Sequence, residues 1–287
     1  MEIQPVLTRW FKANARDLPW RGPEVTPWQI FVSEVMLQQT PATRVAPLWL
    51  AWIERWPDPA TNARATPAQI LRQWDRLGYP RRALNILNAA KVVSHDFDGK
   101  MPNTYDELIT LPGIGDYTAS AIMAFAYKKK SVVLDTNIRR VISRIWHGQE
   151  RPGLTISAVE KEFAGRLVPT SDSAASKWSA AVMEFGAVIC TARKPQCESC
   201  VVKVQCAWRQ AGFPASDVVR KAQKFEGTDR QVRGRIMQVL KESKSAVEKS
   251  AFDKVAADKV QRDRALTSLI NDGLVDVTRS GKFKLPS

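Results

Sequence analysis

The chain has 287 residues, 44% of them hydrophobic with ten Trp, and a net charge of +14. That composition excludes a disordered chain and suffices for more than one packed core, while the positive excess points to a polyanionic partner. No run reaches the roughly 18 apolar residues of a membrane span, and MEIQPVLTRWFKANARDLPW lacks the basic-then-apolar plan of a secretory leader, so the chain reads as cytosolic.

Almost everything before residue 210 carries helical patterning. WQIFVSEVMLQQT (28–40) is apolar nearly all round, with Pro27 before it and Pro41 after it, which predicts a buried helix. Further helices are expected at about 66–77, 81–95 and 104–110. In 111–130, LPGIGDYTASAIMAFAYKKK, a Pro/Gly turn feeds a helix whose C-terminal end Lys128, Lys129 and Lys130 would suit. Helices over 135–146 and 173–190 follow.

Residues 213–227 read as a basic linker. RQVRGRIMQVLKE beyond it places Val232, Ile236, Val239 and Leu240 on one helical face. Helices near 247–257 and 260–272 come next, then LVDVT and KFKL around SGK, a hairpin signal. Three helices and a hairpin resemble a small winged-helix module. Residues 201–287 hold 18 Lys/Arg against 10 Asp/Glu, the more basic part of the chain.

All four cysteines, Cys190, Cys197, Cys200 and Cys206, fall in CTARKPQCESCVVKVQC. A reducing compartment disfavours disulfides and favours metal. Four thiolates can hold zinc or an iron–sulfur cluster. Only one C-x2-C pair is present, and all ligands lie on one short loop after a helix, which suits a compact iron–sulfide cube.

Two carboxylates stand out. Glu34 lies inside the apolar helix; burial would raise its pKa toward that of a general acid, with a structural ion pair as the plain alternative. Asp135, in VVLDTNIRRV, suits a helix N-cap. In LPGIGDYTA, Gly113 and Gly115 allow a tight turn, and the following helix N-terminus could meet a phosphate.

The cysteine spacing C-x6-C-x2-C-x5-C, the LPGIGDYTA hairpin and the placing of Asp135 resemble the helix–hairpin–helix DNA glycosylases related to endonuclease III. SEVMLQQT, DLPWR (17–21) and LGYPRR (77–82) look like the MutY-type adenine glycosylases within them, closest to short actinobacterial forms, although MutY commonly has a second Tyr where Pro80 stands. The resemblance covers residues 1 to about 212, with GTDRQVRGR (227–235) shared with the actinobacterial forms.

The resemblance implies a mainly α fold, a six-helix barrel with the hairpin (26–135) and an iron–sulfur domain (1–25 and 136–212), to which the residue pattern adds the linker 213–227 and the winged-helix-like module 228–287. It implies a 4Fe-4S cluster on the four cysteines. It implies removal of adenine mispaired with 8-oxoguanine or guanine from double-stranded DNA, by a monomer with no membrane attachment. Glu34 and Asp135 would be catalytic, assisted by Tyr117 and Asn137. Tyr117 stands where bifunctional relatives use a Lys, so the enzyme would be monofunctional. Gln39, Tyr79, Gly113, Gly115 and Arg139 would contact DNA, and Trp20, Arg21 and Glu184 would line the base pocket. The tail is too short for the Nudix-like reader of many relatives; it would grip phosphates without reading the lesion, or serve as a packing cap for the cluster domain. A related pyrimidine or T:G mismatch glycosylase and a non-catalytic iron–sulfur DNA-binding protein are the alternatives.

Overall fold

The computed structural model describes residues 2–218 and 224–287. The expected linker 213–227 thus lies partly outside the described residues. The chain is mainly helical and divides into two compact units. No helix among the described residues is long and apolar enough to cross a membrane.

The first unit comprises residues 1–31, 103–110 and 114–221. Its core gathers Leu7, Trp10, Ile138, Val141, Trp178, Val182 and Phe185. The helix Asp172–Val188 packs on Ile3–Asn14 and on Thr136–His147, and Trp10 meets Phe185 edge-on at 5.1 Å. Asp135 begins the helix Thr136–His147 by accepting from the Ile138 N–H. Gly148, at φ 65°, ends it in the left-handed region that glycine adopts without strain.

The expected helix over 111–130 is shorter: it runs Asp116–Phe125. Left-handed Lys128 closes the chain back, and its ammonium caps the Phe125 carbonyl at 2.6 Å. The cation serves the helix end from beyond it.

The second unit comprises residues 32–102, 111–113 and 222–287. Helices Pro59–Ala63 and Pro67–Gln73 pack on Arg81–Asp96, each starting at a capping box, Asp58 with Thr61 and Thr66 with Gln69. Trp52, Trp56 and Trp74 meet edge-on, and the Trp52 indole donates to Asn62 Oδ1 at 3.1 Å.

Within this unit, the helix Asp229–Glu242 packs on Lys259–Asn271 and on Pro67–Gln73. The expected helix near 247–257 is absent. Val247 instead forms an antiparallel bridge with Phe283, followed by a single 3-10 turn, Lys249–Phe252. With the hairpin pairing Asp276–Val277 to Phe283–Lys284, the order helix, bridge, turn, helix, hairpin is winged-helix-like.

Candidate active site and cysteine loop

Glu34 belongs to the second unit and Asp135 to the first. The helix Pro27–Leu37 starts at Thr26, whose hydroxyl accepts from the Gln29 N–H while the Gln29 side chain accepts from the Thr26 N–H. Glu34 sits on it between Ser33 and Val35, 5% exposed. A carboxyl so placed is held out of water, as a proton donor to a base requires.

The end of that helix is held by a residue the sequence reading missed. Arg82 Nη1 donates to the carbonyls of Val35 at 2.9 Å and Gln38 at 2.5 Å, and Nη2 donates to Leu77 at 3.0 Å and Gly78 at 3.2 Å. One guanidinium thus ties a helix C-terminus to the turn before Tyr79. Burial pulls its pKa down to about 10. The two residues beyond these carbonyls, Gln39 at φ 56° and Tyr79 at φ 46°, are both left-handed and both exposed. Left-handed non-glycine residues are strained and persist only where surroundings impose them.

Gly113, at φ 80°, is a close approach, because a Cβ there would lie 2.7 Å from Asn85 Cβ. Gly115 has open space around it and ordinary φ; it is the N-cap of Asp116–Phe125. Asp116 stands in that helix's first turn, hydrogen-bonded by Tyr105 and paired with Lys161 at 3.1 Å. The N-terminus already has an anion beside it.

Asp135 accepts from Ile138 N at 2.6 Å through Oδ1 and from Asn137 Nδ2 at 2.7 Å through Oδ2. Burial raises its pKa above the ordinary carboxylate value, and these donors and the Arg140 charge only partly offset that. Both oxygens accept hydrogen bonds, the arrangement that a carboxylate takes. Asn137 in turn accepts from Arg140 Nη2 at 2.8 Å, and Arg140 donates to Gly186 O at 2.5 Å and Cys190 O at 2.7 Å. Gly186 lies against Asn137: a Cβ there would come within 2.8 Å of both its Cβ and its carbonyl oxygen. Tyr117, on the second residue of its helix, is half-buried against the same core.

Three expected contacts have partners inside the protein. Arg139, expected on DNA, is buried, with Nε and Nη2 paired bidentately to Glu160 at 2.6 and 2.7 Å and Nη2 also on the Gly153 and Thr155 carbonyls. Its charge is neutralised before any phosphate arrives. Arg21 and Glu184 are brought together: Arg16 holds Glu184 through Nε at 2.7 Å and Nη2 at 2.8 Å, and Arg21 Nη2 adds a bond of 2.9 Å. Desolvation would raise the Glu184 pKa, but these donors win and hold it at about 2. Trp20 is buried in the 3-10 turn Pro19–Arg21.

Cys190, Cys197, Cys200 and Cys206 are all partly buried thiols facing the core of the first unit or its surface loop. Burial first, and then the charges of the other three thiols, push the Cys200 thiol up to about 11 against a lowering backbone hydrogen bond from Val202. The thiols are near enough to feel one another's charge, and four thiolates on one loop are the donor set of a four-iron cube, each iron taking one. Arg144, which the sequence reading also missed, is buried beside them. Its Nη1 lies 3.5 Å from Cys190 Sγ and donates to Thr191 O at 2.8 Å, and its guanidinium stacks 4.5 Å over Trp208.

Residues 32–165 match the family model of the HhH-GPD superfamily base excision DNA repair proteins, and residues 190–206 match the iron–sulfur binding domain of endonuclease III. The chain is 49% identical to the adenine DNA glycosylase of Mycolicibacterium smegmatis over 99% of its length and 97% of that protein. It is 46% identical to the adenine DNA glycosylase of Mycobacterium tuberculosis over 98% of its length and 92% of that protein. The human adenine DNA glycosylase is 33% identical over 71% of this chain and 39% of that protein. Among solved structures, a thermostable thymine-DNA glycosylase superposes with a TM-score of 0.66 at 28% identity, covering 72% of this chain and 95% of the other. An endonuclease III trapped covalently on DNA superposes at 0.62 and 22% identity, covering 74% of this chain and 95% of the other; that likeness shows the fold alone. The chain belongs to the adenine DNA glycosylase family, and its four cysteines are the ligands of an iron–sulfur cluster of the endonuclease III type.

Proposed function

We propose that this chain is a monofunctional adenine DNA glycosylase, acting as a monomer in the cytoplasm on double-stranded DNA that carries adenine opposite 8-oxoguanine or guanine. The observation that carries the chemistry is Asp135, a carboxylate whose two oxygens accept from Ile138 and Asn137 and which Arg140 braces from behind. The bond to be broken is hidden in the duplex, so the adenosine must first be flipped out. Its cleavage passes through an oxocarbenium-like sugar.

Glu34 delivers a proton to N7 of adenine, so that the base leaves neutral. Asp135 stabilises the sugar cation electrostatically or attacks it to form a transient ester. Water deprotonated by Glu34 completes hydrolysis, with the proton that left for the base replaced from that water. Tyr117 and Asn137 hold these groups, and Gln39 and Tyr79 contact the base opposite. Trp20, Arg21 and Glu184 frame the base pocket from behind. Gly113 and Gly115 bring backbone to phosphate, whereas Arg139 pairs with Glu160 and holds the carbonyls of Gly153 and Thr155. Cys190, Cys197, Cys200 and Cys206 would hold the cluster, which would cross-link the loop 190–206 when bound.

The deciding experiment is single-turnover base release from A:8-oxoG, A:G, A:C, T:G and U:G duplexes. Adenine should be released from the first two, leaving an abasic strand that breaks only after alkali. The likeness to a thymine-DNA glycosylase gives the second reading, and release from T:G but not from A:8-oxoG would establish it. Efficient borohydride trapping of the wild type would overturn the monofunctional assignment.

A further inference from the structure

A stack of rings and cations on the second unit runs from buried Trp74 out to exposed Phe225. Arg82 lies 5.2 Å from the Trp74 ring and 5.6 Å from the Tyr79 ring. On Tyr79 lies a second guanidinium, that of Arg230, at 4.4 Å, and Arg230 also lies 5.7 Å from the Phe225 ring. Trp74, Arg82, Tyr79, Arg230 and Phe225 therefore alternate ring and cation. The stack starts beside the turn at 74–79 and ends where the C-terminal module begins.

The same turn is held at other points by the module. Arg72 donates to Lys241 O at 3.2 Å and Ser243 O at 3.1 Å, and Lys241 Nζ donates to Asp75 O at 2.5 Å. Asp272 accepts from Arg81 at 2.5 Å and from Arg233 at 2.6 Å, one carboxylate joining the turn to the module. Residues 72 to 81 thus have a partner in the module on both sides of Tyr79. Asp75 and Tyr79 are both left-handed, so this turn needs outside contacts to keep its shape.

We propose that the C-terminal module positions Tyr79, with Arg230 as the positioning residue, and so takes part in discriminating the base opposite adenine. This rests on the reading of Tyr79 as a contact to that base. A clamp on phosphates alone would give affinity without regard to the lesion. Arg230 is different, because it acts on the ring of a single side chain. Cation–π attraction fixes the ring's tilt while leaving the phenol, 40% exposed, open to the duplex. The exposed guanidinium of Arg230 also adds positive charge beside that ring.

The test is a double-mutant cycle on affinity, using duplexes with an uncleavable fluorinated adenosine opposite 8-oxoguanine or guanine. Arg230→Ala, an exposed change that the fold should tolerate, is expected to lower the ratio of the two affinities by about two- to fivefold, the factor an exposed cation–π contact is worth. In a Tyr79→Ala background the same change should leave the ratio unmoved, and Arg230→Lys should recover part of it. An equal loss on both duplexes, a loss that persists without Tyr79, or tighter binding by Arg230→Ala would each overturn the proposal. Adenine release by the wild type is scored separately. A wild type that releases none sinks the glycosylase reading, while the affinity cycle still decides the role of Arg230.

Discussion

Arg140 Nη2 donates to Asn137 Oδ1 at 2.8 Å, and Arg140 Nε donates to the carbonyl of the cluster ligand Cys190 at 2.7 Å. One buried side chain thus braces the Asp135–Asn137 pair and anchors the first turn of the cysteine loop. Arg140→Leu would strip donors from Asn137 and from the carbonyls of Gly186 and Cys190. Each buried acceptor so orphaned costs about 1–3 kcal/mol. We expect a large drop in melting temperature together with loss of adenine release, and Arg140→Lys, unable to serve three acceptors in a plane, should recover little of either. A leucine variant of wild-type melting temperature would contradict this.

Gly186 gives a prediction of opposite sign to helix propensity. In a helix interior Gly→Ala ordinarily stabilises by about 1 kcal/mol. Here the new methyl would lie 2.8 Å from the backbone oxygen and the Cβ of Asn137, neither of which is a flexible tip. Overpacking of that kind costs about 1–3 kcal/mol, so the balance should be destabilising. Because the displaced residue is Asn137, single-turnover adenine release should fall by more than thermal melting alone explains. A stabilised, fully active Gly186→Ala protein would show that the two helices part without consequence.

The residues that the sequence disclosed and those it hid differ in a physical way. Glu34 was legible because a carboxyl among Phe31, Val32, Val35 and Met36 contradicts its surroundings, and the cysteines because their spacing lies within one loop. Arg82, Arg140 and Arg144 were hidden because most of their partners are backbone carbonyls, and every residue has one. The same holds for Val247, read as helical from local spacing, whose partner Phe283 is remote in sequence. The stack through Tyr79 joins segments far apart in the chain, and no local periodicity marks it. The pairing of Arg139 was hidden too, because its carboxylate, Glu160, lies 21 residues away across a loop.

For the carboxylates, Glu34→Gln and Asp135→Asn separate proton delivery from charge stabilisation. The amide at 34 cannot donate an acidic proton, and loss of general acid catalysis costs about 10²–10⁴ in rate. The amide at 135 would turn an NH2 toward Ile138 N–H or Asn137 Nδ2, donors that now meet an oxygen. Asp135→Asn should therefore lose about 10²–10³ in rate and lower stability as well. Both should still bind a mismatched duplex in a gel-shift assay. Retention of a tenth of wild-type release by either would remove that residue from the chemistry.

Glu184 makes the fold acid-sensitive in a defined window. Its folded pKa, about 2, lies below the ordinary value of 4.5, so the stabilisation is complete above pH 4.5 and is lost as pH falls toward 2. Glu184 is 1% exposed, but Arg16 is 40% exposed and screened, which limits the contribution to about 2 kcal/mol. Glu184→Gln should melt earlier than the wild type at neutral pH, with the difference shrinking between pH 4.5 and 2. Chemical denaturation at several pH values reads this directly. A difference that stays constant down to the acid limit would mean that the pair with Arg16 and Arg21 contributes nothing through its charge.

Arg144 should decide how firmly the cluster is held. Its guanidinium, 1% exposed, lies 3.5 Å from Cys190 Sγ, while its own carbonyl faces Cys206 Sγ at 3.6 Å. It therefore touches the first and the last ligand of the loop. Four thiolates bring negative charge into a partly buried place, and burial alone opposes that charge, as the raised pKa of Cys200, about 11, shows for the bare thiol. A buried cation nearby offsets this, and the bond to Thr191 O fixes the backbone beside Cys190. Arg144→Met keeps the volume against Trp208 and removes the charge. Purified wild type should carry about four iron atoms per chain with acid-labile sulfide. The methionine variant should carry fewer and lose them faster to a chelator, with cleavage by protease appearing first within 190–206. Stoichiometric zinc without sulfide in the wild type would overturn the cluster, and undiminished iron retention in Arg144→Met would show that the loop needs no buried cation.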